Sequence, residues 1–232
     1  MRFAVLLVSA FLMSCVSLHT GQRSQPSMST EACGLGSVNV LKVPAGTVDF
    51  TVSKKRPSNS DIYINSNFFD RRGPIGELIV KGKRLSSRVR GGGYFFVKAG
   101  RPGISAYAPP KNPDYSSQSI LVAINDGKIN RAMLRRGHAR ELTYRSLVGV
   151  DAESNLYIIA STRTGLITAS EIVELARQLG VREAILPDAG SSVDYKLSDG
   201  HREASMKSAP GFVKRAMRIE EPKSYIVGNI KR

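Results

Sequence analysis

The residues best placed to do chemistry lie in the run Ile185-Leu186-Pro187-Asp188-Ala189-Gly190-Ser191-Ser192. Its apolar start, from Ala184, reads as a short buried strand that delivers the Asp188 carboxylate to its end. Gly190 lets the backbone turn sharply, and Ser191 and Ser192 follow with two small hydroxyls. In such a loop a charged side chain and several backbone amides can converge on one ligand. The plainer alternative is a turn between strands.

Two further segments carry groups of complementary chemistry. Asn65-Ser66-Asn67-Phe68-Phe69-Asp70 ends an alternating strand and runs into Gly73-Pro74-Ile75-Gly76. At a spacing of two, the amides of Asn65 and Asn67 share a face of the strand, where they could bond sugar hydroxyls. The alternative is that they stabilise a tight turn. Tyr144-Arg145-Ser146-Leu147-Val148-Gly149 opens another strand with an arginine at its mouth. A guanidinium there can grip a phosphate through two parallel hydrogen bonds, or else is a solvated strand-end charge.

The elements that must position these groups are mostly strands. Val38 to Val43, Val48 to Val52, Asp61 to Phe69 and Tyr94 to Val97 show apolar alternation or apolar runs. Hairpins are expected about Lys81-Gly82 and about Asn125-Asp126-Gly127. Residues 146–150 and 156–160 should pair, and strands should follow at 184–186, 193–197 and 225–227. One helix stands out, over 168–180. Thr168 and Glu171 form a capping box; Ile172, Leu175, Ala176 and Leu179 share a face, and Gly180 stops it. One firm helix among many strands, with room for further short helices, predicts an α+β domain built on a β-rich mixed sheet.

Before this domain, residues 1–15 read as an export signal: Arg2, then an apolar run from Phe3 to Met13 too short to span a bilayer. Leu12-Met13-Ser14-Cys15 resembles a bacterial lipobox, so Cys15 is the expected lipidation site and membrane anchor, plain secretion being the alternative. Residues 16–36, rich in Ser, Thr, Gln and Pro, read as a flexible tether to a domain over 37–232. Cys33 is the other cysteine of the chain, so no disulfide framework is expected. His19, His138 and His201 sit in the leader or in polar surroundings, and predict neither a histidine metal site nor a cysteine–histidine pair.

Lys and Arg outnumber Asp and Glu by 34 to 19, a formal net charge of +15. That excess favours anionic partners. The basic residues are scattered apart from clusters at 81–90 and 131–140, with no nucleic-acid-binding signature, so nucleic acid is not expected. No cofactor is called for. Asp70, Asp188 and the asparagines could offer oxygens to a divalent ion, but no fixed-spacing metal loop is present.

The order of the segments says more than any one of them. Asn-x-Asn-Phe-Phe with Gly-x-x-Gly, a strand and hairpin, Tyr-Arg-Ser-x-x-Gly, a capped helix and Asp-x-Gly-Ser-Ser resembles the phosphodiester glycosidase domain family, from about Asp61 to Ile230. This family includes the uncovering enzyme of lysosomal mannose-6-phosphate tagging and bacterial envelope proteins. Its motifs usually read Asp-Gly-Gly-x-Ser and Asn-Gly-x-Phe-Phe; here Ala189 and Ser66 replace glycines.

The resemblance implies an exported hydrolase that cleaves a sugar from a sugar-1-phosphodiester, in envelope glycans or glycoconjugates of the periplasm or cell envelope. Departure of the sugar needs its oxocarbenium-like charge stabilised by a carboxylate, while a phosphomonoester leaves as a stable anion. Asp188 is then the essential carboxylate, as base or nucleophile, with Asp70 a candidate second carboxylate or else a turn residue. Arg145 would hold the phosphate with the amides of Gly190, Ser191 and Ser192, and Asn65 and Asn67 would orient the sugar. The same groups would equally suit a non-catalytic binder of anionic phosphorylated envelope polysaccharide. A structural lipoprotein would use them as turns.

Overall fold

The computed structural model describes residues 24–209 and 221–232. The signal segment and Cys15 lie outside the described residues. A seven-stranded sheet forms the middle of the molecule. Its spatial order runs β1 (Ser27–Cys33), β2 (Gly36–Val43), β15 (Leu156–Ser161), β14 (Ser146–Val150), β16 (Glu183–Leu186), β12 (Leu121–Asn125) and β13 (Lys128–Ile129). Two five-stranded sheets cover one face. The first is ordered β10 (Arg101–Ser105), β9 (Gly93–Lys98), β11 (Tyr115–Ser119), β7 (Leu78–Val80) and β8 (Lys83–Ser86). The second is ordered β18 (Glu203–Lys207), β17 (Asp194–Ser198), β4 (Ile62–Asn65), β19 (Tyr225–Ile230) and β3 (Val48–Ser53). A small hairpin joins β5 (Phe68–Asp70) to β6 (Gly73–Ile75).

The alternation of β15 shows how sequence builds these layers. Leu156, Ile158 and Ala160 face a core shared with Phe50, Ile64, Phe95 and Tyr195 of the outer sheets. Tyr157 and Ile159 face the opposite way, toward α3 (Ala169–Gln178), whose Ala169, Ile172, Val173 and Ala176 are buried there. Period two on a strand bonded on both sides gives two apolar faces, and each is covered by a different layer. The helix has the expected start: Thr168 caps the Glu171 amide, and the Glu171 carboxylate accepts from the Thr168 amide at 2.7 Å. Gly180 ends it at φ +87°. Its buried stripe is centred one residue from the expected one, with Leu175 and Leu179 half-buried at the margin. Two short helices, α1 (Arg131–Leu134) and α2 (Gly137–Arg140), pack Met133 and Ala139 into the same layer.

The α+β, strand-dominated class holds, with two refinements. Every strand pairing among the described residues is antiparallel, so the sheets are not mixed. The helical crossover through α3 joins β15 to β16, which run the same way, but β14 lies between them and pairs antiparallel with both. The tether expected over 16–36 is also shorter than expected, because β1 occupies Ser27–Cys33 and pairs along β2 from Ser27↔Lys42 to Cys33↔Gly36. Little apolar burial holds this edge strand. Instead the Met28 amide donates to the buried Asp199 carboxylate at 3.1 Å, and Arg202, itself bonded to Asp199, donates to the Met28 carbonyl. The expected hairpins form with left-handed pairs, Lys81-Gly82 (φ 52° and 72°) and Asp126-Gly127 (φ 49° and 71°). Those angles match the right-handed twist of the flanking strands.

Candidate functional site

Strand β16 ends at Leu186, and the chain beyond it leaves the sheet carrying Asp188. The bend is held from two sides. The Asn65 amide donates through Nδ2 to the Asp188 carbonyl at 2.9 Å, and the Gly190 amide donates to the Tyr144 carbonyl at 2.9 Å. Gly190 sits at φ +65°, where a side chain is strained. Ala189 sits at φ −114°, ψ −176°, extended backbone that any residue adopts. The alanine that replaces a family glycine beside Asp188 is therefore accommodated without backbone strain.

A cavity of about 340 Å³ opens at this bend. Asp188 and Arg145 both line it, with His138, Glu141 and Thr143. Phe68, Ile120 and Leu121 give it an apolar wall. Burial pushes the Asp188 carboxyl above its ordinary range, against hydrogen bonds from the Ser192 hydroxyl and the Ala189 amide that favour the ionised form. A carboxylate placed in a cavity and perturbed by desolvation is a functional-site signal. Replacing Ser192 by alanine removes one of the two bonds that hold this carboxyl down. We expect its titration, followed by carboxyl carbon NMR, to move to higher pH in Ser192→Ala; an unmoved titration would remove Ser192 from the site.

Arg145 is 3% exposed, and its role differs from a free phosphate clamp. Nη2 donates to the carbonyls of His138 and Glu141, the latter at 2.9 Å, so the arginine fastens the α2 turn over the cavity. Its Nε is buried without a protein partner. Burial lowers the guanidinium's pKa, and the Glu141 charge opposes that shift. One edge of the fork is thus structural, while a buried donor of the same group stays unpaired.

The other sequence candidates divide. Asn65 and Asn67 do not line the cavity; both are buried and bonded within the protein. Asn65 Oδ1 accepts from the Asp194 amide at 3.3 Å, so its side chain ties β17 to the Asp188 loop. Asp194 is in turn held by Arg56 Nε at 3.0 Å and the Tyr225 hydroxyl at 3.0 Å. Asn67 Oδ1 accepts from the hydroxyls of Ser66, Ser117 and Ser224, which leaves Nδ2 buried without a partner. Asp70 is exposed and accepts from the Arg72 and Gly73 amides at 2.8 and 3.2 Å; it closes the β5–β6 turn, as its alternative reading had it. Of the loop amides assigned to phosphate, those of Gly190 and Ser192 are given to the Tyr144 and Ala189 carbonyls. Gly190 lines the cavity, Ser192 reaches it through its hydroxyl on Asp188, and Ser191 is exposed. The carboxylate the sequence reading missed is Glu141, which lines the same cavity as Asp188. Glu141 and His138 stand in a basic cluster with no periodic signal to mark them. Among the described residues no group of three or more His, Cys, Asp or Glu side chains is placed to hold a metal ion.

A family model described as Phosphodiester glycosidase matches residues 58–216. A search of curated protein sequences gives no match. Among solved structures, one similar fold is the catalytic domain of zebrafish N-acetylglucosamine-1-phosphodiester alpha-N-acetylglucosaminidase, auto-inhibited by its pro-peptide. It has a TM-score of 0.64 at 14% identity, with 89% of this chain and 82% of that chain covered. A hypothetical protein from Synechocystis is also similar, with a TM-score of 0.58 at 11% identity over 89% of this chain and 62% of that one. At such identities the structural likeness carries the fold, whereas the family model covers well over half of the sequence, including every residue placed above in the cavity. The chain belongs to the phosphodiester glycosidase family.

Proposed function

We propose that this protein is an exported hydrolase that cleaves the sugar from a sugar-1-phosphodiester, acting on glycans or glycoconjugates of the cell envelope. The observation that carries the reading is one small cavity lined by both the Asp188 carboxylate and the Arg145 guanidinium, with an apolar wall between Phe68 and Leu121. The wall suits the apolar face of a sugar ring, the arginine an anionic leaving group and the carboxylate a developing positive charge.

In the reaction the bond from the anomeric carbon to the phosphate oxygen breaks, and its electron pair leaves with the phosphomonoester. Water supplies hydroxyl to the anomeric carbon. Its proton goes to a carboxylate, and the phosphomonoester leaves as an anion without needing that proton. Asp188 faces the sugar as base or nucleophile, and Glu141 is the second carboxylate at the same cavity. Asn65 positions rather than reacts, because it holds the Asp188 carbonyl. Export and attachment of Cys15 to a membrane rest on the leader sequence, and the basic surface suits an anionic glycan there.

The experiment is release of free sugar from a panel of sugar-1-phosphodiesters, with the anomer of the product read by NMR. Retained configuration means two successive displacements, and inversion means a single displacement with a base acting on water. For Glu141→Gln we expect a loss of about 10²-fold or more in kcat if this carboxylate handles the water proton. Unchanged kcat would leave Asp188 as the sole acting carboxylate.

A further inference from the structure

A second cavity, of about 530 Å³, is lined by the same strand, β12, that helps to wall the one holding Asp188. Ile120 and Leu121 wall the first, and the next residue of the chain, Val122, lines the second. Gly92 lines the second cavity and packs against the backbone of Ser119 and Ile120, the latter a wall residue of the first. A Cβ there would fall 2.2 Å from the Ser119 carbonyl oxygen and 3.0 Å from the Ile120 Cα.

The second cavity is furnished for a different job. Tyr107 lines it and is 74% exposed, a large ring left in water. Its backbone is fastened, since Arg88 Nη2 donates to the Tyr107 carbonyl at 2.8 Å. The Arg88 guanidinium also lies over the Tyr94 ring, 5.5 Å from its centroid, and so is itself fixed. Lys128 and Asn125 enter from the opposite side, on the β12–β13 hairpin. Arg88 continues into a third cavity, of about 730 Å³, with Arg84 and Lys111. From Glu77 to Tyr115 the chain carries eight Lys and Arg against two acids, Glu77 and Asp114, and Glu77 is paired with Arg84 at 2.9 Å.

We propose that this surface is an extended subsite that binds the continuation of a phosphate-bearing glycan beyond the bond to be cut, so that the favoured substrate is a polymer. Tyr107 stacks on a sugar ring, and Lys128 and Arg88 hold the next phosphates. Assigning the chain that leaves the subsite to the Asp188 cavity rests on the hydrolase reading; the binding itself does not.

The test uses the full chain and two ligands: a single hexose-1-phosphodiester and an oligosaccharide of hexoses joined through 1-phosphodiesters. Calorimetry is expected to give tighter binding of the oligomer. Tyr107→Ala should weaken the oligomer about tenfold and leave the monomer unchanged, as expected for one lost aromatic contact. Lys128→Gln should flatten the fall of oligomer affinity with added salt. In turnover, Tyr107→Ala should raise KM for the oligomer while kcat for the monomer stays the same. Equal affinity of the wild type for both ligands, or unaltered oligomer binding in Tyr107→Ala, would overturn the subsite even if the monomer is cleaved. Oligomer binding that depends on Tyr107, without turnover of either ligand, would support the subsite and overturn the hydrolase reading.

Discussion

Asp188→Asn is expected to lower turnover of sugar-1-phosphodiesters by 10²-fold or more while the protein keeps its fold. The substitution is close to isosteric, and Asn Oδ1 can still accept the Ala189 amide that Asp188 accepts at 2.9 Å. The Asn65 bond to the backbone carbonyl at this position is untouched. Stability should therefore move in the opposite direction to activity. Burial raises the folded pKa of this acid above its unfolded value. The neutral form is thus the one the fold favours, and stability from this group is present at low pH and lost as pH rises through the folded pKa. The asparagine variant never ionises and escapes that loss. Its melting temperature should match the wild type in acid and exceed it near neutral pH, a trade of stability against activity typical of reacting groups. Near-normal turnover in this variant would remove Asp188 from the chemistry. Melting well below the wild type at neutral pH would show a structural carboxylate instead.

What could be read from the sequence and what could not differ in the distance over which each feature is decided. The Thr168–Glu171 box and the Lys81-Gly82 and Asp126-Gly127 turns are settled within a few residues, and all three form as expected. The hairpin between β9 and β10 turns on Ala99-Gly100, with Ala99 at φ 49°, a residue that gives no such signal. Strand β1 has the composition of a tether and is fixed by Asp199, 171 residues away. The site follows the same rule. Residue type and spacing located Asp188 and Arg145, which the fold brings to one cavity. The spacing of Asn65 and Asn67 predicts a shared strand face, but β4 ends at Asn65 and the chain bends at Asn67. Their partners, Asp188 and Asp194 for the first and Ser117 and Ser224 for the second, come from distant parts of the chain and hold each amide inside the protein. Glu141 and His138 reach the cavity because Arg145 holds their carbonyls; these bonds span only four and seven residues, but no cap or turn residue marks them in the sequence.

That bond makes Arg145 the position where structure and chemistry are hardest to separate, and the choice of substrates separates them. Arg145→Ala leaves the His138 and Glu141 carbonyls without their donor, and opens a void under α2. A destabilisation of about 2–4 kcal/mol is expected. Arg145→Lys keeps a charge but not the planar fork, so an ammonium that serves one carbonyl cannot also serve the second and an anion. Both variants should lose kcat/KM on phosphodiesters by about 10²-fold or more, since an anionic leaving group meets the guanidinium in the transition state. An aryl glycoside of the same sugar leaves as a phenolate and has no phosphate oxygens to grip. Its loss should be about tenfold smaller if Arg145 acts on the phosphate. Equal loss on both substrates would mean that Arg145 serves the cavity only by fastening its roof. The place of Arg145 beside Asp188 in one cavity lining argues for the unequal result.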